Sequence, residues 1–176
     1  MLDRKLRTHE MDRKSLSDFK VAEKFGFSFV LDDIRSALNV GSIFRTSDAF
    51  LFEKIHLCGL TAQPPSPEIA KSALGATESV EWQHWPSTKE CLSLLKQTHH
   101  IIGIEITANA LSLDAYLFNT SKPIAAVLGN EITGISSEVI ELCDEIVSIP
   151  QFGTKHSLNV SVCAGIIGWS YLTRHI

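Results

Sequence analysis

Three short stretches of the sequence hold residue types that could do chemistry. The first runs Asn39-Val40-Gly41-Ser42-Ile43-Phe44-Arg45-Thr46. Asn39 is a good helix cap, and Arg45 follows six residues later, nearly two turns, which reads as roughly the same side. A helix start beside a guanidinium is a natural phosphate-binding arrangement; a capped helix with one exposed arginine is the plainer alternative. The second stretch runs Leu128-Gly129-Asn130-Glu131-Ile132-Thr133-Gly134-Ile135. Gly129 is expected to let a ligand approach the backbone, and Gly134 to make a tight turn, with the Glu131 carboxylate between them. Neither a Walker loop nor G-x-G-x-x-G is present, and an ordinary strand–turn–helix junction would look similar. The third runs Ile149-Pro150-Gln151-Phe152-Gly153-Thr154-Lys155-His156-Ser157-Leu158-Asn159-Val160. It enters a very apolar helix through Ser157 and Asn159, where free N–H groups could face a ligand and Ser157 could cap the helix.

These residues need a scaffold, and the hydrophobic pattern supplies one. β-rich runs are expected at 27–31, 54–60, 79–85, 100–107, 124–128 and 145–149, alternating with helical patterns at 39–50, 67–74, 86–97, 136–142 and 157–172. Strands alternating with helices, several of them apolar throughout, predict an α/β fold with a mostly parallel sheet covered by helices on both faces. In such folds ligands bind beyond the carboxyl ends of the strands. Asn39, Gly129 to Glu131 and Gln151 to Asn159 all sit just after strands or at helix starts.

The bulk composition narrows the setting. A chain of 176 residues, 44% hydrophobic and 20% charged, fits one compact domain. No basic-then-apolar leader and no apolar run of about 20 residues is present, so neither secretion nor a membrane span is expected. The four cysteines, Cys58, Cys91, Cys143 and Cys163, lie far apart and read as reduced thiols of a cytoplasmic protein. His99 and His100 have no second ligand pair at metal-binding spacing, and no metal is expected. Net charge is −4, yet residues 1–24 hold seven Lys/Arg against five Asp/Glu. They are expected to form a separate, weakly basic amphipathic arm, able to contact phosphates or simply to be solvated.

Taken together, the three stretches resemble the SpoU (TrmH) branch of the SPOUT superfamily of RNA methyltransferases. Asn39, Gly41, Arg45 and Thr46 match its first motif; Gly129, Glu131 and Gly134 match its second. Ile149, Pro150, Gly153 and Ser157 to Val162 match its third, and 71–76 also looks like a segment common in the branch. Gln151 stands where the branch usually has methionine, and Gly168 and Trp169 also depart from its pattern. The likeness covers residues 26–176, so 25–176 is read as one catalytic domain.

The resemblance implies a carboxyl-terminal deep trefoil knot and a homodimer paired partly through the last helix. It implies an S-adenosylmethionine (AdoMet) pocket built from Ile104, Leu128, Gly129, Ile149, Gln151, Ser157 and Leu158. It also implies methyl transfer to a ribose 2′-hydroxyl of tRNA or rRNA. Arg45 would be the central catalytic residue, as base or as clamp on the RNA phosphate, with Asn39, Glu131, Ser157 and Asn159 orienting it and the ribose. A non-catalytic RNA-binding or assembly protein on the same scaffold is the alternative. A hydrolase built on His156 and Ser157 is disfavoured, because no G-x-S-x-G elbow is present.

Overall fold

The computed structural model describes residues 4–7, 10–119 and 121–176. Helix α1 (Leu16–Val21) is capped by Ser15, with Asp18 closing a reciprocal capping box. Strand β1 (Phe25–Asp32) leads to α2 (Ala37–Ala49), β2 (Phe52–Cys58), α3 (Pro67–Ala73) and the single turn α4 (Ala76–Ser79). Then follow β3 (Glu81–Trp85), α5 (Thr88–Leu95), β4 (His100–Ile104), β5 (Leu111–Ser112) and β6 (Ile124–Leu128). The chain closes with α6 (Ser137–Ile140), β7 (Glu145–Ser148) and α7 (Val160–Leu172). Among the described residues no helix is long and apolar enough to cross a membrane.

The seven strands form one parallel sheet in the order β3-β2-β1-β6-β4-β7-β5. Because side chains alternate along a strand, the sheet sorts its apolar residues into two cores. Phe27, Phe29, Leu31, Ile55 and Leu57 point toward Ile43 and Phe44 of α2, Ile69 of α3 and Ile167 of α7. Val30, Ala125, Val127 and Ile101 join Cys91 and Leu92 of α5 and Val139 of α6 on the opposite face. Each fully buried Phe or Leu contributes roughly 1.5–3 kcal/mol relative to exposure. The expected two-sided burial of a parallel sheet is what holds the molecule together.

Two glycines let helices come close. A Cβ on Gly41 would lie 2.5 Å from the Ile69 carbonyl oxygen and 3.1 Å from the Ala73 nitrogen, so α2 packs directly on α3. A Cβ on Gly168 would meet the Phe52 ring at 2.9 Å, which seats α7 on the aromatic cluster of Phe27, Phe52 and Tyr171.

Three expectations need correction. Helix α2 begins one turn early: its cap is Ser36, whose hydroxyl accepts from the Asn39 amide, so Asn39 lies inside the helix. Helix α7 begins late, with Asn159 as cap, so Ser157 is in the extended approach. The six expected strands are seven, because β5 pairs with β7 after a polar loop. That strand is two exposed residues long and leaves no periodicity to read. Part of the expected arm, residues 1–3 and 8–9, lies outside the described residues. Of its remainder, residues 4–7 and 12–18 are exposed, and Phe19 of α1 is buried in the larger core.

Candidate active site

All strands point the same way, so their carboxyl ends share one edge of the sheet. Beyond β4, β6 and β7 at that edge opens a cleft of about 590 Å³. Three loops wall it: residues 105–107, 129–135 and 149–159. Ile104, Leu128, Gly129 and Ile149 line it where the strands end, and Gln151, Ser157 and Leu158 where the last loop returns toward α7. Glu131 and Asn159 line it as well.

The middle loop folds back on itself. A Cβ on Gly129 would sit 2.8 Å from the Gly134 carbonyl oxygen, and closer still to the Gly134 carbonyl carbon and the Ile135 nitrogen. On the side where a Cβ would stand, Gly129 lets the chain's own backbone approach closely. Gly134 takes φ +67°, and its N–H donates to the Asn130 carbonyl (2.9 Å). Asn130 fixes the tip: its Oδ1 accepts from Ile132 and Thr133 amides, and its Nδ2 donates to the Asp33 carbonyl at 2.7 Å. Glu105 braces the loop from the β4 side, accepting from the Ile135 amide (3.0 Å) and the Ile106 amide (2.8 Å).

The sequence pattern did not single out Glu105, and it marked Asn130 only as part of the stretch from Gly129 to Glu131. The position of Glu105 was a usable signal, since an acid directly follows an apolar strand where such folds place ligands.

The three motifs meet through one chain of hydrogen bonds at the edge of the cleft. Asn39 Nδ2 donates to Glu131 Oε1 (3.0 Å), and Asn159 Nδ2 donates to Asn39 Oδ1 (3.1 Å). Glu131 also accepts from the backbone amides of Arg35 (3.2 Å) and Ser36 (3.1 Å), at the positive start of α2. Asn159 in turn accepts from the Ser161 amide (2.9 Å). Partial burial works to raise the Glu131 pKa, but the bonds from Asn39 and these amides outweigh it and hold the carboxyl below its ordinary range. Residues 92 and 120 positions away from Asn39 are thus locked to the first turn of α2.

Arg45 is not in this cleft. It lies exposed on α2 and lines a different cavity, against the segment before α1. The reason is helical arithmetic: six residues advance about 600°, which leaves Arg45 about 120° from Asn39 and about 9 Å farther along the axis. Of the five expected catalytic residues, the structure therefore gathers Asn39, Glu131, Ser157 and Asn159. Arg45 stands apart in the single chain.

The cleft's chemistry is selective. Ile104, Leu128, Ile149 and Leu158 offer apolar walls, Glu105 and Glu131 offer carboxylates, and no lysine or arginine is among its lining residues. That combination suits a ligand with an apolar heterocycle and a positive charge, and it disfavours phosphates. Among the described residues no group of metal-ligating side chains assembles. His156 and Ser157 share no hydrogen bond among the described residues, and both line the open cleft.

The chain is similar to known proteins in sequence and in fold. The chain is 35% identical over 145 residues to the 23S rRNA (guanosine-2′-O-)-methyltransferase RlmB of Neisseria meningitidis, covering 78% of this chain and 54% of that protein. It is 26% identical over 149 residues to the tRNA (guanosine(18)-2′-O)-methyltransferase of Borreliella burgdorferi, covering 84% and 66% respectively. The SpoU methyltransferase AviRb of Streptomyces viridochromogenes, solved in complex with AdoMet, superposes with a TM-score of 0.76 at 27% identity, over 94% of this chain and 63% of that one. The chain spans about half the length of the first of these relatives. The family model described as SpoU rRNA methylase matches residues 26–169, all three motifs included, and the chain belongs to that family.

Proposed function

We propose that the protein transfers a methyl group from AdoMet to a ribose 2′-hydroxyl of tRNA or rRNA. One observation carries this reading: Asn39, Glu131 and Asn159, one from each motif, are hydrogen-bonded together at the mouth of a cleft that favours a cation. AdoMet supplies a methyl group already activated by its sulfonium, so no metal is required. The residues present fit it. Backbone groups at Gly129, Ile149 and Leu158 would hold the adenosine, with Ile104, Leu128 and Gln151 around it. The Glu105 and Glu131 carboxylates would favour the positive sulfur.

The protein's remaining task is to align the ribose oxygen, and alignment alone can be worth roughly 7–11 kcal/mol in the best cases. Ser157 and Asn159 reach the mouth from the last loop and can hydrogen-bond the ribose. Arg45 acts as a clamp on the RNA phosphate and a stabiliser of developing alkoxide charge, because guanidinium groups keep their protons in proteins.

Arg45 needs access to a methyl donor, and a second copy of the chain would provide it. Val162, Ile166 and Trp169 form a stripe at i, i+4 and i+7 of α7, with Val162 48% and Trp169 55% exposed. Leu38 and Leu158 are exposed near the start of α7. A homodimer paired through this stripe buries it and brings α2, which packs beside α7, toward the partner's cleft. Residues 25–176 are the catalytic domain in this reading. The insertion of β7 between β4 and β5 supports a deep trefoil knot around the cleft. Four free thiols and the family relationship support a cytoplasmic setting.

The test is calorimetry with AdoMet, followed by nucleoside mass spectrometry of RNA from cells with and without the protein. Binding, and one missing 2′-O-methyl mark, are expected. AdoMet binding without any missing mark would contradict methyl transfer, and absence of binding would favour the non-catalytic RNA-binding alternative.

A further inference from the structure

The cavity that holds Arg45 has about 770 Å³ and is walled by three separate parts of the chain, within residues 12–19, 45–51 and 73–79. Arg13 and Lys14 come from the segment before α1, and Arg45 comes from α2. Among the described residues none of these three cations forms an ion pair. The cavity also holds Asp12, Asp48 and Glu78, so its formal charge balances. Asp48, however, is already engaged by the Ser79 hydroxyl.

The segment carrying Arg13 and Lys14 is anchored. Ser15 caps α1 immediately after them, Phe19 is 5% exposed in the core, and the Lys24 ammonium sits 4.4 Å from the Phe19 ring centre. Cations held beside a cavity lose less freedom on binding than cations on a loose tail.

We infer that this cavity is an RNA-binding groove, in which Arg13 and Lys14 grip the same stretch of phosphate backbone as Arg45. The inference rests on the reading of the protein as an RNA methyltransferase. A compact phosphate ion would meet the carboxylates together with the cations. An extended single strand instead offers one phosphate to each cation, and the amino groups of its unstacked bases can donate to the free carboxylates. The segment before α1 thereby becomes part of the substrate site.

The experiment uses the full chain and a short fluorescein-labelled single-stranded RNA, titrated by anisotropy over a series of KCl concentrations. For R13A/K14A, RNA affinity should fall on the order of tenfold near 0.1 M salt, and the slope of log K against log salt should flatten by about 1.4. AdoMet affinity by calorimetry should stay unchanged, which shows that the variant folds. The charge-keeping variant R13K/K14R should recover the affinity and the slope. Unchanged RNA affinity in R13A/K14A, or equal loss in the charge-keeping variant, overturns the inference. Failure of the wild-type protein to bind AdoMet would instead strike the methyltransferase reading and is seen in a separate measurement.

Discussion

Two clefts are tied to α2, and they differ in the charged groups they offer: one has carboxylates without Lys or Arg, the other has both signs in equal number. The cleft at the strand ends holds Glu105 and Glu131 with no lysine or arginine among its lining residues. The cavity beside α1 holds Arg13, Lys14 and Arg45 along with Asp12, Asp48 and Glu78, so it alone offers cations to a phosphate chain. A sulfonium donor and a polyanionic RNA have opposite electrostatic needs, and one site serving both would weaken its grip on each. In the proposed reading the two needs are separated and joined through α2, with Asn39 at one end bonded to Glu131 of the first cleft and Arg45 farther along lining the second. On that reading, two residues six positions apart in one motif address two ligands.

Breaking one cleft should spare the other, and the largest effect is expected at Gly129. Because even a Cβ collides with the Gly134–Ile135 backbone, Gly129→Val should push AdoMet binding beyond calorimetric detection while single-stranded RNA still binds; retained AdoMet affinity would remove this loop from the pocket wall. Next is Arg45→Ala. Methyl transfer should drop on the order of 100- to 1,000-fold, with AdoMet affinity within about twofold of wild type, and a near-normal rate in a radiolabel assay would move the clamp to another residue.

Asn39→Ala should have an intermediate effect. It strips one partner each from Glu131 and Asn159, a loss worth about 1–3 kcal/mol, or roughly 5- to 150-fold in kcat/KM. An unchanged kcat/KM would show that the three-motif chain is incidental. The smallest effect concerns pH. Glu131 has a folded pKa below its unfolded value, near 4.3, so its contribution to stability is complete above that value and fades as pH falls through the depressed one. The difference in melting temperature between wild type and Glu131→Gln should narrow over that acid range. A difference that stays constant with pH would deny the carboxylate its bonds to α2.

Much of this organisation was legible in the residues themselves. Apolar runs such as 124–128 announced buried parallel strands, and the rule that ligands sit beyond strand ends located the cleft. What escaped depended on partners distant in sequence. Ser36 and Asn39 are both cap-type residues three positions apart, and only Glu131, arriving 92 residues later, shows why the second turns its side chain outward to it. Arg45 was misplaced by a rounding: nearly two turns is not two turns, and the missing 120° faces another cavity. Gly129 matched the motif for a reason its spacing could not reveal, because the atoms it must avoid belong to Gly134 and Ile135. The strand β5 and the docking of Phe19 rest on tertiary pairing with no local pattern to announce them.

The self-contact between Gly129 and Gly134 also bears on how the site can be re-engineered. Its wall is upheld by main-chain atoms and by the Glu105 brace, so it stands before any guest arrives, and a guest loses little free energy to ordering it. Side chains of the last loop that line the cleft, such as Gln151, are then the ones to exchange for smaller ones. Synthetic sulfonium donors with bulkier transferable groups could be admitted this way without disturbing the frame.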